Sequence, residues 1–159
     1  MLKYGRVLRE NVYYHVISRG NQKQSVFLQE ADFEKYLCLL KRYKRKYQFS
    51  LYAWCLMQNH VHLILEVRKL KDLAKIIQGL NLAYARWFNK RYNKVGHLWQ
   101  GRFKSMVIEK DKYVLDCINY IEANPLRANI KLTPLDYPWS SLKARVLGDK
   151  TTLLDIPRL

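Results

Sequence analysis

The chain has 159 residues, a length that predicts one compact domain rather than two of ordinary size. Its 29 lysines and arginines against 13 acidic residues give a formal charge of +16, which favours a polyanionic partner over a small metabolite. With 49% apolar and 13% aromatic residues, the sequence is too rich in core-forming side chains to be a disordered basic tail.

The apolar runs are short. The longest spans residues 51–57, well below the ~18 residues that cross a bilayer, and Lys3, Arg6 and Arg9 interrupt the N-terminus before the core of a signal peptide could form. We therefore expect no membrane association and a cytoplasmic location.

The cysteines are odd in number and widely separated, so we expect reduced core residues rather than disulfides or a zinc site. They are Cys38, Cys55 and Cys117.

Apolar spacing predicts a regular alternation of strands and helices. Residues 51–57 are apolar on both faces, which is typical of a central strand, and a turn at Gln58-Asn59 makes the next segment its hairpin partner. Gly79, inside the second predicted helix, indicates close packing. The predicted elements are strand 12–18, a helix from residue 32, strands 51–57 and 60–67, helix 72–91, strand 102–108, helix 111–124 and a short terminal helix 140–147.

This order, β-α-β-β-α-β-α, predicts an α+β fold with a ferredoxin-like core, an antiparallel sheet and one added helix near the C-terminus. Pro125 should end that helix at Asn124, because a proline disfavours helical geometry at the preceding residue and cannot donate an amide hydrogen bond. We expect a single domain over residues 1–159, with a core of about 11–128 and an extension of about 129–159.

Two histidines, His60 and His62, lie two residues apart on a predicted strand and therefore point to the same face. Both imidazoles can reach one metal ion from that position. The alternating Val61, Leu63 and Leu65 would face the opposite way, into the core. The pattern alone is a weak signal, and the alternative is a purely structural pair in a hairpin.

The last core helix carries a polar stripe in which Asp116, Tyr120 and Asn124 are spaced by four residues. Tyr120 is a candidate nucleophile and Asn124 a candidate oxygen ligand beside a metal held by the histidines. A protonated phenol is a weak nucleophile, so it needs a nearby cation or base. Tyr113 lies seven residues earlier on nearly the same side, and spacing does not choose between the two tyrosines. Both can also be core or rim residues.

Basic and aromatic residues are interleaved from Lys41 to Tyr47 and again between Arg86 and Lys104. This composition is suited to binding phosphates and unpaired bases. The run from Lys41 can equally be a solvated helix end, because cations there complement the helix dipole. The candidate DNA-binding residues are Arg19, Lys41, Arg42, Lys44, Arg45, Arg86, Arg91, Trp99, Arg102 and Lys104.

Two motifs resemble the single-tyrosine HUH transposases, in which two histidines flank one bulky residue. They are Q-N-H-V-H-L-I-L at 58–65 and Y-I-E-A-N-P-L-R-A at 120–128. Supporting stretches are H-V-I-S-R-G-N-Q-K-Q-S-V-F at 15–27, Y-A-R-W-F-N-K-R-Y at 84–92 and G-H-L-W-Q-G-R-F-K-S at 96–105. Several motifs in the family's order are far more specific than any one of them.

The resemblance implies that His60 and His62 hold Mg²⁺ or Mn²⁺, that Asn124 completes the metal site, and that Tyr120 attacks a phosphodiester of single-stranded DNA. It selects Tyr120 over Tyr113 as the nucleophile. The implied product is a 5′-phosphotyrosine link with a free 3′-hydroxyl, so rejoining needs no ATP.

Asn124 stands where the insertion-sequence branch of the family usually has glutamine, and with Pro125 it resembles the REP-associated tyrosine transposases. Y-P-W-S-S at 137–141 resembles the tail of the same branch. This likeness implies a substrate of hairpin or palindromic repeat DNA. It leaves a monomer and a homodimer both open.

The main alternative is a non-catalytic module that binds RNA or single-stranded DNA, because the same strand and helix order builds RNA recognition motifs. Residues 102–108, R-F-K-S-M-V-I, lack the aromatic signature of that class. A phosphoesterase with two H-x-T or H-x-S motifs is excluded, since His60 and His97 are followed two positions later by His62 and Trp99.

Overall fold

A computed structural model describes residues 12–109, 112–130 and 133–158 of the chain. Most predicted elements are present, with ends shifted by up to three residues, and Asp111, the predicted start of the last core helix, lies outside the described residues. The strands are β1 (Tyr13–Arg19), β2 (Ser50–Met57), β3 (His60–Glu66) and β4 (Lys104–Ile108). The helices are α1 (Glu30–Tyr47), α2 (Asp72–Tyr92), α3 (Val114–Glu122), α4 (Asn124–Arg127) and α5 (Leu142–Leu147), with short 3₁₀ turns at Asn21–Lys23 and Pro134–Asp136.

The strands form one sheet in the order β2-β3-β1-β4, in which each neighbouring pair is antiparallel. This is the strand order of the ferredoxin-like fold, so the predicted α+β class is confirmed. In the centre of the sheet, Arg19 pairs with His60 and Ile17 with His62. Because residues opposite each other share a face, the end of β1 lies directly beside the paired histidines.

The two faces of the sheet carry separate cores. Helices α1 and α2 cover one face, against Val61, Leu63 and Leu65 of β3. Helix α3 covers part of the other face, where Ile64 packs. The alternation predicted for β3 is therefore confirmed. Gly79 on α2 is also at a close contact, because a Cβ there would lie 2.7 Å from Cε1 of Tyr43 on α1.

Strand β2 is buried on both faces, yet it lies at the edge of the sheet, so its predicted central position is wrong. The segment after α4 covers this edge. Trp139 O accepts a hydrogen bond from Leu56 N, and Leu51 O accepts one from Asp155 N. A covered edge is protected against pairing with another chain, which explains why an edge strand is so apolar.

The helical stretch that carries the candidate tyrosine does not end at Asn124 as predicted. Helix α3 ends at Glu122, and α4 begins at Asn124, with Pro125 in its first turn. A proline is tolerated there because the first turn of a helix needs no amide donor. The helical stretch is therefore interrupted at Ala123 and continues as α4, rather than ending at Asn124.

The cysteines are free, but they are not all core residues: Cys55 is buried, Cys117 is half-buried and Cys38 is exposed on α1. The expectation of a core position is thus wrong for Cys38. No helix in the described part of the chain combines the length and apolar character needed to cross a bilayer. The domain limits near residues 11 and 129 stay predictions, and Asn11 lies outside the described residues.

Candidate active site

The paired histidines lie at the start of β3, directly after the Gln58-Asn59 turn. Both point to the face of the sheet opposite α1 and α2, and their ring centroids are 4.9 Å apart. His60 Nδ1 lies 2.6 Å from Asn59 Oδ1. With Oδ1 of Asn59 as the acceptor, His60 carries its proton on Nδ1 and its Nε2 is left as an acceptor.

The turn that precedes His60 is held against the end of β1. Gly20 N donates to Asn59 O at 2.8 Å, and Gln58 O accepts from Val26 N at 2.8 Å. A Cβ at Gly20 would lie 2.2 Å from the carbonyl oxygen of Gln24, so only glycine allows this approach. The R-G-N motif therefore positions the hairpin turn and, with it, the first histidine.

His62 is buried and contacts a third histidine, His15 of β1. Nε2 of His15 lies 2.9 Å from Nδ1 of His62, and the rings stack with centroids 5.2 Å apart. Burial lowers the pKa of His15 to about 4 and that of His62 to about 3, where the charges of His60, Arg19 and Arg127 act in the same direction. Burial, followed by Arg19, also lowers the pKa of His60. Neutral imidazoles are the form that binds metals.

Asn124, the first residue of α4, lies close to the histidines. Its Nδ2 lies 3.5 Å from Nε2 of His60, although the two residues are 64 positions apart. The side chain of Glu122, two residues earlier, is buried and accepts hydrogen bonds from Ser141 Oγ at 2.7 Å and from Arg145. This buried anchor ties the end of α3 to the C-terminal segment.

Tyr120 lies on α3, one turn before Asn124, with 56% of its surface exposed. The guanidinium of Arg127 lies 3.8 Å from its ring centroid and donates a hydrogen bond to the carbonyl oxygen of Tyr120. Arg127 also contributes to the lowered pKa of His62, so its charge acts on the histidines as well as on the tyrosine ring. Tyr113 is 49% exposed at the N-terminal end of α3, so neither tyrosine is a core residue.

Among the candidate DNA-binding residues, Arg19 and Lys104 share the face of the histidines. Arg19 is paired with His60, and Lys104 is paired with Ile17, whose other partner is His62. Both cations are exposed. Beside Lys104 on the same face, Met106 is 49% exposed, so this part of the sheet is open to a ligand.

A second group lies on the long loop before β4 and on α2. Trp99 is half-buried. Its backbone forms an isolated antiparallel β-bridge with Gly20, and its Nε1 donates a hydrogen bond to the carbonyl oxygen of Asn81. Arg86 lines a small cavity together with Trp99, and Arg102 is exposed just before β4. Trp99 therefore packs against the protein and presents only part of its ring.

The remaining cations lie away from the histidine face. Lys41, Arg42, Lys44 and Arg45 are on α1, which covers the opposite face of the sheet. Lys44 forms an ion pair with Asp155 at 2.8 Å. Arg91, on α2, contacts the buried Asp32 and Gln29. The predicted DNA-binding residues thus form three groups. Of these, only Arg19 and Lys104 share the face of the paired histidines.

The donor set fits a divalent cation. Within residues 12–109, 112–130 and 133–158, no group of three or more His, Cys, Asp or Glu side chains could hold a metal ion, but the amide of Asn124 lies next to His60 and could serve as a further ligand. Rotation of that amide by 180° exchanges its nitrogen and oxygen. Two imidazole nitrogens and one amide oxygen suit a hard or intermediate ion completed by water.

Sequence reasoning did not select His15 or Arg127 as site residues. Both lie inside motifs that were recognised, at the start of H-V-I-S-R-G and near the end of Y-I-E-A-N-P-L-R-A. The period of two along β1 places His15 on the same face as Arg19, which is a signal that could have identified it.

Comparison with known proteins agrees with this architecture. The family described as "Transposase IS200 like" matches residues 9–124. A curated protein of Haemophilus influenzae, named provisionally as a REP-associated tyrosine transposase, is 30% identical over 114 residues. The match covers 65% of this chain and 64% of that protein, so the chain spans less than two thirds of its relative.

Two solved structures share the fold. A REP-associated tyrosine transposase bound to a REP hairpin superposes with a TM-score of 0.76 at 18% identity, covering 100% of this chain and 92% of its own. A protein of Deinococcus radiodurans R1, described provisionally as a transposase, has a TM-score of 0.52 at 19% identity, covering 77% and 97%. Because the family match extends over more than half of the sequence, the chain belongs to the IS200-like transposase family.

Proposed function

We propose that this protein is a metal-dependent enzyme that nicks and rejoins single-stranded DNA through a covalent 5′-phosphotyrosine intermediate at Tyr120. The observation that carries the proposal is the approach of Asn124 to His60 at 3.5 Å, which joins the helix of the tyrosine to the paired histidines. Without that approach, nothing would connect the exposed tyrosine with the paired histidines.

In the proposed reaction, Oη of Tyr120 attacks the phosphorus of a phosphodiester. The bond from phosphorus to the 3′ oxygen breaks, the phenolic proton passes to solvent, and the leaving oxygen takes up a proton to become a free 3′-hydroxyl. Attack by a 3′-hydroxyl on the phosphotyrosine reverses the step and rejoins the strand. The number of phosphoester bonds is unchanged, so neither direction needs an external energy source.

Each residue of the site has a proposed task. His60, His62 and Asn124 would hold Mg²⁺ or Mn²⁺, which supplies Lewis-acid polarisation of the scissile phosphate. The cations of Arg19 and Arg127 attract the phosphate to the histidines and stabilise the charge that develops on it. Stacking of Arg127 on Tyr120 restrains the phenol beside that phosphate.

We propose hairpin or palindromic repeat DNA as the substrate. The formal charge of +16 suits a polyanion, and the exposed Lys104 and Met106 give the histidine face both a phosphate contact and an apolar surface for a base. A protein of the same fold is bound to a REP hairpin, which supports a similar substrate here. A cytoplasmic location would be consistent with such a substrate.

The test is incubation of the full chain with a hairpin oligonucleotide that carries a single-stranded flank, in Mn²⁺ and in EDTA. A covalent adduct should appear on a denaturing gel with Mn²⁺ only. DNA labelled at its 3′ end should migrate with the protein, because the tyrosine retains the 5′ phosphate. If DNA labelled at its 5′ end migrated with the protein instead, this result would contradict the proposed polarity.

Matched variants assign the residues. Tyr120→Phe should abolish the adduct, whereas Tyr113→Phe, an exposed tyrosine on the same helical stretch, should largely preserve it. The opposite pattern would refute the choice of nucleophile. His60→Ala should remove the activity together with the response to metal. Salt-dependent binding with no adduct under any divalent metal would instead support the non-catalytic binding module.

The oligomeric state, monomer or homodimer, can be tested with inactive variants. Tyr120→Phe and His60→Ala are each expected to form no adduct. If the tyrosine of one copy serves the histidines of another, a mixture of the two variants will recover activity. If one chain builds a whole site, the mixture will stay inactive.

A further inference from the structure

We propose that His15 is a positioning residue that presents Nε2 of His62 to the metal. In this arrangement Nε2 of His15 accepts a hydrogen bond from Nδ1–H of His62, which keeps the proton of His62 on Nδ1 and leaves its Nε2 unprotonated. This inference rests on the proposed function, because it assigns a task to a residue that supports one of the proposed metal ligands.

The contact is built into the centre of the sheet. His15 and His62 lie on adjacent antiparallel strands, where His15 pairs with Ile64 and His62 with Ile17. Their side chains are diagonal neighbours on one face, which is within reach of long or aromatic side chains. Both are more than nine-tenths buried, and the stacked rings prevent either imidazole from turning freely.

Only one proton can occupy the 2.9 Å contact between Nε2 of His15 and Nδ1 of His62. If His62 donates that proton, its own Nε2 is a bare lone pair and can bind a metal. If His15 donates instead, the proton of a neutral His62 is on Nε2, where it blocks coordination. The direction of this single hydrogen bond therefore decides whether His62 can be a ligand through Nε2.

His60 shows the same arrangement, with the side chain of Asn59 as the partner of its Nδ1. Its Nδ1 is paired with Asn59 Oδ1 at 2.6 Å, and its Nε2 faces Asn124. With His15 as the acceptor for His62, both histidines present the same nitrogen. Outer partners of this kind commonly change metal affinity by about 10–100-fold when they are removed.

The test compares His15→Phe, which keeps a stacked ring without an acceptor, with His15→Gln, whose amide oxygen can replace the accepting nitrogen. Long-range ¹H–¹⁵N NMR on the metal-free protein reports which nitrogen of His62 carries the proton, and titration calorimetry with Mn²⁺ reports affinity. In the wild type and in His15→Gln, we expect the proton of His62 to be on its Nδ1. We expect His15→Phe to mix the tautomers and to weaken Mn²⁺ binding by about 10–100-fold.

Ile108→Val is the matched control, because Ile108 is paired with Tyr13, two residues before His15 on the same face of the sheet, and has no task in the proposed site. It should leave the tautomer and the affinity unchanged. If His15→Phe does not fold, His15→Asn replaces it, since the shorter amide does not reach His62 and should weaken binding in the same way.

A proton on Nε2 of His62 in the wild type, or wild-type Mn²⁺ affinity in the folded His15→Phe variant, would overturn the positioning role. These readouts do not depend on DNA cleavage. If the tautomer and affinity follow the expectation while the wild type forms no adduct, the nicking reaction fails and the positioning role stands.

Discussion

Replacing Glu122 with glutamine should loosen the attachment of α3 to the rest of the protein. Glu122 is 2% exposed. Its Oε1 accepts from Ser141 Oγ at 2.7 Å and from Arg145 Nε at 2.9 Å, and Nη2 of the same arginine lies 2.8 Å away. The substitution keeps the shape and one accepting oxygen, but it removes the charge that holds the arginine.

The expected loss is about 2–3 kcal/mol. Removal of one partner from a buried ion pair commonly costs about 3–5 kcal/mol, mainly because the other charge is left buried. The side chain of Arg145 is 22% exposed, so water partly compensates its charge and the expected loss lies at or just below the lower end of that range. For a chain of this size, each kcal/mol lowers the melting temperature by about 2–4 °C, which predicts a decrease of about 4–12 °C.

Urea and thermal unfolding measure this loss, with Glu34→Gln as an exposed control on α1 that should change stability by less than about 0.5 kcal/mol. In a double-mutant cycle with Arg145→Met, the two changes should be non-additive by about 0.5–3 kcal/mol. A loss of the same size in both single glutamine variants would refute the anchoring role. Helix α3 would then be held by its apolar stripe alone.

Two further predictions concern pH and packing. As the pH falls from 7.5 to 5.5, protons bind His15 and His62 in the unfolded chain, where the ordinary pKa is 6.5, but not in the folded chain, where it is about 4 and about 3. The free energy of unfolding should therefore fall by up to about 1.3 kcal/mol per histidine. Urea unfolding should show a smaller fall in His62→Gln, and equal stability of the wild type at both pH values would contradict the assignment. Gly79→Ala should cost about 1–2 kcal/mol, because the added Cβ would lie 2.7 Å from the ring of Tyr43 and a better helix propensity offsets only part of the strain. Tyr43→Leu in that background should recover the loss, and a more stable Gly79→Ala protein would show that the ring moves freely.

Local pattern predicted the elements and the faces well. The alternation of Val61, Leu63 and Leu65 with the two histidines placed each set on the correct side of β3, because a slip of one residue would have reversed every side chain. The apolar spacing of α2 and the tight contact at Gly79 were equally readable. These features depend on residues a few positions apart, so the local sequence is sufficient to predict them.

Strand position and helix continuation were less readable. Burial of β2 on both faces indicated a central strand, but the segment with Trp139 and Asp155 covers an edge strand to the same effect. Pro125 indicated a stop, but it lies in the first turn of a new helix, where a proline is tolerated. The meaning of the β2 pattern was changed by a segment distant in the sequence, and the meaning of the proline by the helix that begins beside it.

By itself, the sequence determined the order of strands and helices, the face of the paired histidines and, through motifs spread over most of its length, the family. Only the tertiary structure brought Asn124 to His60, His15 to His62 and Arg127 over Tyr120. The first two contacts join residues 64 and 47 positions apart. They depend on strand order, register and the path of the chain from α3 into α4, which arise from packing of the whole chain and which no short window of residues specifies.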